Sequence, residues 1–237
     1  MPRLISTTDC TTSQKVRTSQ SYFNPWLLQF YDLTLYRFIS PMLWGCSKET
    51  LIKRYDSHCR TKHLEVGVGT GYLLDKCQAP IQRLGLMDLS TACLYKTGKR
   101  LKHLSPAIWR RNILEPIEVV EEKFQSLSIN YVMHCIPGSY SDKGIAFKHL
   151  KNLITDDGIL FGASVIKTDQ SNALAVGFMG LLNKIGVFNN AQDTVEELEN
   201  ALRRYFKFVK VEPRSASALF IATDSETSFL LHSREAI

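Results

Sequence analysis

The chain has 237 residues, 44% of them hydrophobic and 22% charged, which is enough to bury the core of one domain and too little for two full ones. Its formal net charge of +6 and pI near 9.0 admit acidic partners, but the basic residues are scattered, and their densest groups, at 96–102 and 109–111, read as solvated helix and loop faces rather than a nucleic-acid surface. No apolar run approaches the length of a membrane span, and the six cysteines lack metal-site spacing, which fits reduced thiols in a cytoplasmic protein.

Residues 1–21 are rich in Ser and Thr, carry Arg3, Lys15 and Arg17 against Asp9, and form no amphipathic Arg stripe; they read as a disordered tail. Asn24-Pro25 opens a helix, because asparagine can cap it and proline fits its first turn. Trp26, Phe30 and Leu33 recur at helical spacing until Ser40-Pro41 ends the run. This aromatic segment, 22–44, precedes the sheet and reads as a lid. A second helix over 48–58 turns Leu51, Ile52 and Tyr55 inward, so that 22–60 form a helical N-terminal part.

The next stretch organises the chain. His63-Leu64-Glu65-Val66 is a short extended run, and Gly67, Gly69 and Gly71 then leave a tight turn almost free of side chains. Residues 72–78 begin a helix that Ala79-Pro80 ends. Glycine accepts positive φ without penalty and lets a ligand come up against bare backbone. Glu65 stands at the strand end, where its carboxylate faces the space above the turn. A second strand over 82–87 delivers Asp88 about twenty residues after the first glycine, the spacing of an acid that binds ribose hydroxyls. The spacing Gly-x-Gly-x-Gly differs from the Gly-x-Gly-x-x-Gly of dinucleotide turns. An acid beside the turn attracts a cationic group and repels phosphate.

These residues resemble motif I of the class I S-adenosylmethionine-dependent methyltransferases, an acid followed by Gly-x-Gly-x-Gly, and Met87-Asp88-Leu89-Ser90 resembles the run carrying that family's ribose-binding acid. The resemblance covers nearly the whole chain after residue 25. It implies a Rossmann-like α/β fold with a seven-stranded, mostly parallel sheet, helices on both faces, an antiparallel C-terminal strand and a helical lid, in a methyltransferase domain over 61–237. It also implies S-adenosylmethionine as cofactor, held by Glu65, Gly67, Gly69, Gly71, Asp88 and Leu89. The N-terminal segment resembles that of small-molecule methyltransferases of the quinone-methylating kind, and by that resemblance Tyr31 is a candidate cofactor contact and catalytic residue.

Downstream, Ser90 caps a helix to about residue 104, and a third strand at 108–110 leads to Asn112 and Ile113. By the resemblance Asn112 accepts a hydrogen bond from the adenine amino group and Ile113 covers the ring, although the family more often has aspartate at the first position. The run from Phe124 to a Pro137-Gly138 stop predicts a fourth strand ending at 133–136. That ending would bring His134 to the meeting point of cofactor and acceptor. The run resembles motif IV of the family, with Gln125 where an aspartate is frequent. His134 is therefore a candidate general base or cofactor contact. A helix over 145–153 and the Asp156-Asp157-Gly158 turn lead into a buried fifth strand, 159–165. An apolar helix over 171–185, in a cap region reaching 188, reads as a second wall of the acceptor cavity. A capping-box-like start at 193–196 opens a helix to 204, and 206–211 with 218–223 read as an antiparallel pair.

The activity implied is methyl transfer to an oxygen, nitrogen or carbon of a small, fairly apolar acceptor, as in secondary metabolism. Acidic residues do not cluster with ligand spacing, so no metal is implied, and no nucleic acid is expected. Three alternatives stay open on the sequence: a cyclase or isomerase on this fold, an RNA methyltransferase, and a non-catalytic subunit. The acceptor and the oligomeric state are not fixed by it.

Overall fold

The computed structural model describes residues 4–7, 42–118 and 122–233. Eight strands, β1 (Leu4–Thr7), β2 (Lys62–Val66), β3 (Arg83–Asp88), β4 (Ala107–Arg110), β5 (Phe124–Asn130), β6 (Ile154–Val165), β7 (Phe208–Arg214) and β8 (Ser217–Thr223), make one sheet in the order β1-β4-β3-β2-β5-β6-β8-β7. Neighbours run parallel except at β8, which is antiparallel to both β6 and β7. The helices are α1 (Lys48–His58), α2 (Tyr72–Lys76), α3 (Thr91–Arg100), α4 (Tyr140–Lys143), α5 (Ile145–Lys151), α6 (Ala173–Lys184), α7 (Val195–Arg203) and α8 (Glu226–Ser233). None among the described residues is long and apolar enough to cross a membrane.

Several helix starts follow from local chemistry. The side chains of Ser47, Ser90 and Asn172 accept the N–H of Thr50, Cys93 and Ala175 at the starts of α1, α3 and α6. Thr194 and Glu197 close a full capping box on α7. Each such cap contributes about 1 kcal/mol by satisfying a donor that the helix cannot.

Strand alternation divides the core. Leu64 and Val66 of β2 and Leu127 and Ile129 of β5 belong to a cluster with Phe147 and Leu150 of α5 and Leu198 of α7. Leu51 and Tyr55 of α1, Leu94 of α3 and Phe161 of β6 belong to a second cluster. The residues between, His63 and Glu65 on β2 and Ser126 and Ser128 on β5, are polar and buried. Parallel register sets His63 beside Ser126 and Glu65 beside Ser128, so one polar stripe lies within the apolar core.

The seven expected strands are present, and the closing two form the expected antiparallel hairpin. Several features differ from expectation, among them β6, which begins at Ile154 rather than 159, and the short helix α4. Leu4–Thr7, placed by composition in a disordered tail, pairs parallel with β4; the open backbone edge of β4 supplies the partners that this short segment lacks alone. The fourth expected strand, β5, ends at Asn130 rather than at 133–136, because Tyr131 takes φ +57° and Met133–Cys135 form a 3-10 turn. Helix α8 was not foreseen at all. Tyr31 and the helix expected from Asn24 to Ser40 lie outside the described residues.

Candidate active site

From β2 the chain adds β3 and β4 on one side, then returns to add β5 and β6 on the other. Ligands bind beyond the carboxyl ends of strands at such a switch point. A cleft with about 1230 Å³ of space, counted out to its solvent-filled mouth, lies there. Glu65, Gly67, Gly69, Gly71, Asp88, Leu89, Asn112 and Ile113 all line it, so the topology gathers residues drawn from the ends of β2, β3 and β4.

The three glycines have φ of +71°, +50° and +70°, a region that costs other L-residues about 1 kcal/mol or more. Their surroundings differ. A Cβ on Gly67 would strike Val132, and one on Gly71 would stand 2.6 Å from Thr97 Cγ2, whereas one on Gly69 would meet no protein atom within 4 Å. Protein therefore packs behind the turn at its two ends, and its middle presents bare backbone to open space. The turn is tied down by Gly67 N–H to Met87 O (2.8 Å) and Gly71 N–H to Val68 O (2.9 Å). Thr97 Oγ1 donates to Gly69 O (3.1 Å), and Arg100 Nη1 to Thr70 O (2.9 Å). Thr97 and Arg100 on α3 were not singled out from sequence; their spacing of three along a helix carries no signal of what they hold.

Asp88 ends β3 with part of its surface open to the cleft. Burial pushes its carboxyl up to about 6, against the pull of the backbone N–H groups of Ser90, Val68, Leu89 and Gly69. The bond from Ser90 N–H to Oδ1 measures 2.7 Å. Glu65 is only 4% exposed. Tyr55 Oη donates to its Oε1 at 2.7 Å, and the Ser128 hydroxyl donates to Oε2, which also lies 3.4 Å from His63 Nε2. Tyr55 and Asn130 line the cleft as well, and Asn130 Nδ2 donates to Tyr55 Oη at 3.0 Å. Both were missed as site residues. The alternation Ser126-Leu127-Ser128-Ile129-Asn130 was the available signal, since a polar period of two on a central strand demands buried partners.

Asn112 holds its loop: Oδ1 accepts the Leu114 N–H at 3.1 Å, and Nδ2 donates to Glu115 Oε1 at 3.0 Å. An amide oxygen has two lone pairs, so one acceptor position stays open for a ligand donor.

His134 corrects the reading that placed it at the reaction centre. The early end of β5 carries it behind the wall, and it is not among the residues lining the cleft. Its Nδ1 accepts the Val165 N–H at 3.2 Å, and its ring meets Phe188 edge to face at 4.3 Å between centroids. Burial, with Lys143 adding to it, pushes the imidazole down to about 3. The wall there is instead made by Tyr131, Val132, Cys135, Ile136 and Pro137. Behind it Trp44 packs against Phe178 and Phe188 at 6.0 and 5.9 Å, joining the approach to α1 with the cap helix α6.

No protein-family model matches the chain. Individual proteins do. It is 34% identical over 220 residues, 92% of this chain and 96% of the relative, to the demethylluteothin O-methyltransferase of Streptomyces thioluteus. It is 35% identical to methyltransferase aurB of Calcarisporium arbuscula, over 86% of this chain and 96% of that one. Among solved structures, the DhpI complex with SAH superposes with a TM-score of 0.63 at 13% identity, over 91% of this chain and all of that one. With glycine turn, Asp88 and Glu65 gathered at the switch point of this fold, and with relatives of this identity along nearly their whole length, the chain belongs to the class I S-adenosylmethionine-dependent methyltransferases.

Proposed function

We propose that the cleft holds S-adenosylmethionine through the residues lining it, and that the acceptor is a small, apolar molecule methylated on oxygen. The observation that carries the reading is the bare backbone at Gly69, bordered by Asp88 and Glu65 in one cleft. Asp88 would accept the ribose hydroxyls, Glu65 would face the cationic amino-acid end, and Leu89, Asn112 and Ile113 would enclose the adenine. When bound, S-adenosylmethionine supplies a methyl group already activated by its sulfonium. The chain's own task is then to align the acceptor and exclude water. The apolar stretch from Tyr131 to Pro137 suits that work. With His134 engaged by Val165, none of the described histidines lines the cleft, which favours an acceptor hydroxyl acidic enough to lose its proton to water.

Oxygen is favoured because the Streptomyces thioluteus relative is named an O-methyltransferase. A nitrogen acceptor is the second reading, since N-methyltransferase vrtF of Penicillium aethiopicum is 39% identical over 75% of the chain. The test is calorimetry with S-adenosylhomocysteine, followed by incubation of labelled S-adenosylmethionine with phenolic, enolic and amine acceptors. Label in an O-methylated product is expected. Binding without label in any product would favour the cyclase or isomerase alternative, and absence of binding would sink the assignment.

A further inference from the structure

We infer that Tyr55, fixed by Asn130, is a positioning residue that aims the Glu65 carboxylate into the cleft; the inference rests on the cofactor reading above. Tyr55 comes from α1, ahead of the glycine turn, and no motif of the sequence points to it. Its phenol has one proton. An amide nitrogen can only donate, so the 3.0 Å bond from Asn130 Nδ2 occupies an acceptor position on Tyr55 Oη and leaves that proton for Glu65 Oε1 at 2.7 Å.

A second chain of donors reaches the other carboxylate oxygen. Arg60 N–H donates to Ser126 Oγ (2.8 Å), and because Ser128 spends its proton on Glu65 the ring proton of His63 sits on Nε2, so its Nδ1 accepts the Ser126 proton (2.9 Å). His63 Nε2–H then faces Ser128 Oγ (3.1 Å), and the Ser128 proton goes to Glu65 Oε2. Every donor in both chains points the same way, towards one carboxylate. A carboxylate offers about four acceptor positions. The two donors that end on it, Tyr55 Oη and Ser128 Oγ, hold its plane and leave acceptor capacity for the cleft that Glu65 lines.

The two chains are not equivalent. Ser126, His63 and Ser128 are fully buried and do not line the cleft, whereas Tyr55 and Asn130 do. Tyr55 also packs edge to face on Phe161, with ring centroids 5.4 Å apart, and phenylalanine would keep that contact. Removing the hydroxyl therefore takes the donor from Glu65 Oε1 while the ring contact stays.

The test uses the full-length protein and the variants Tyr55→Phe, Asn130→Ala, Glu65→Gln and Tyr55→Phe/Glu65→Gln. Dissociation constants for S-adenosylhomocysteine come from calorimetry, KM and kcat from methyl transfer, and folding from thermal melts. Tyr55→Phe should raise Kd and the KM for S-adenosylmethionine about tenfold, as expected for a lost hydrogen bond to a charged group, with kcat within about twofold and a melt that is lowered but still a single cooperative transition, since Glu65 Oε1 and Asn130 Nδ2 each lose a partner. Asn130→Ala should shift the same constants in the same direction. In the Glu65→Gln background Tyr55→Phe should add less than about twofold, because both changes act on one group. Parent-like binding by Tyr55→Phe, or a full tenfold loss added to Glu65→Gln, would overturn the inference while leaving the cofactor site intact. Failure of the parent itself to bind would overturn the reading beneath it.

Discussion

Thr97 backs the glycine turn against Gly71: its hydroxyl donates to the Gly69 carbonyl at 3.1 Å, and its methyl occupies the place that a Cβ on Gly71 would need. The same turn is thus closed by protein behind and open to the cleft at Gly69. Gly71→Ala should destabilise the fold by about 2 kcal/mol, from overpacking and positive φ together. Gly69→Ala should lose only about 1 kcal/mol to backbone strain and yet weaken S-adenosylhomocysteine binding at least about tenfold, since its side chain projects into the ligand's space. Thermal melts and calorimetry on both variants separate the two effects. Equal loss of stability would contradict the packing difference.

Cofactor affinity should fall as pH drops from 7.5 to 5. Burial raises the Asp88 carboxyl from 3.8 to about 6, and a protonated acid accepts ribose hydroxyls poorly. Asp88→Asn should bind weakly with no such pH dependence. The stability of the unliganded protein has the opposite sense. A raised folded pKa contributes stability that is complete below about pH 4 and lost as pH rises through 6. Asp88→Asn should therefore melt above the parent at pH 7.5 and match it near pH 4.

His134→Phe should cost about 1–3 kcal/mol by leaving the Val165 N–H without its acceptor, while the pH profile of kcat between 6 and 9 keeps its shape. A group pushed down to about 3 does not titrate in that range. Its burial as neutral imidazole also predicts a loss of folding stability as pH falls from about 6.5, where the unfolded histidine takes a proton and the folded one does not. Loss of a rate inflection near neutrality in the variant would restore His134 as a base.

Lys143 and Asp193 form a fully buried ion pair at 2.6 Å, and Lys143 Nζ also reaches Ile136 O and Asn189 O. The lysine therefore ties the cleft wall to the segment after α6, an attachment reinforced by Asn189, whose N–H and Nδ2 donate to the carbonyls of His134 and Cys135. Burial pushes Asp193 up to about 6 even against the pull of Lys143. Lys143→Met should destabilise by about 3–5 kcal/mol because it strands a buried acid. The double variant Lys143→Met/Asp193→Leu should recover much of that loss in urea denaturation. A single variant as stable as the parent would show that the pair contributes nothing to holding the wall.

The local chemistry of this protein was legible in its sequence. Three glycines that must take positive φ, an acid at the end of the strand before them and another at the end of the strand after them are constraints on short stretches of backbone, and the Ser90 cap of α3 is settled within four residues. What needed the tertiary structure was whatever depends on partners far apart in the chain. Tyr131 at φ +57° is a conformation its residue type disfavours and only its surroundings impose, and it is what ends β5 and turns His134 away from the cleft. Glu65 finds Ser128 because β2 and β5 pair in one register and not another, and it finds Tyr55 because α1 packs over that stripe. A one-residue slip would have turned every polar group of β5 to the opposite face. The sequence alone thus named the carboxylates; the packing of α1 and β5 around them decided which side chains hold one of them in place.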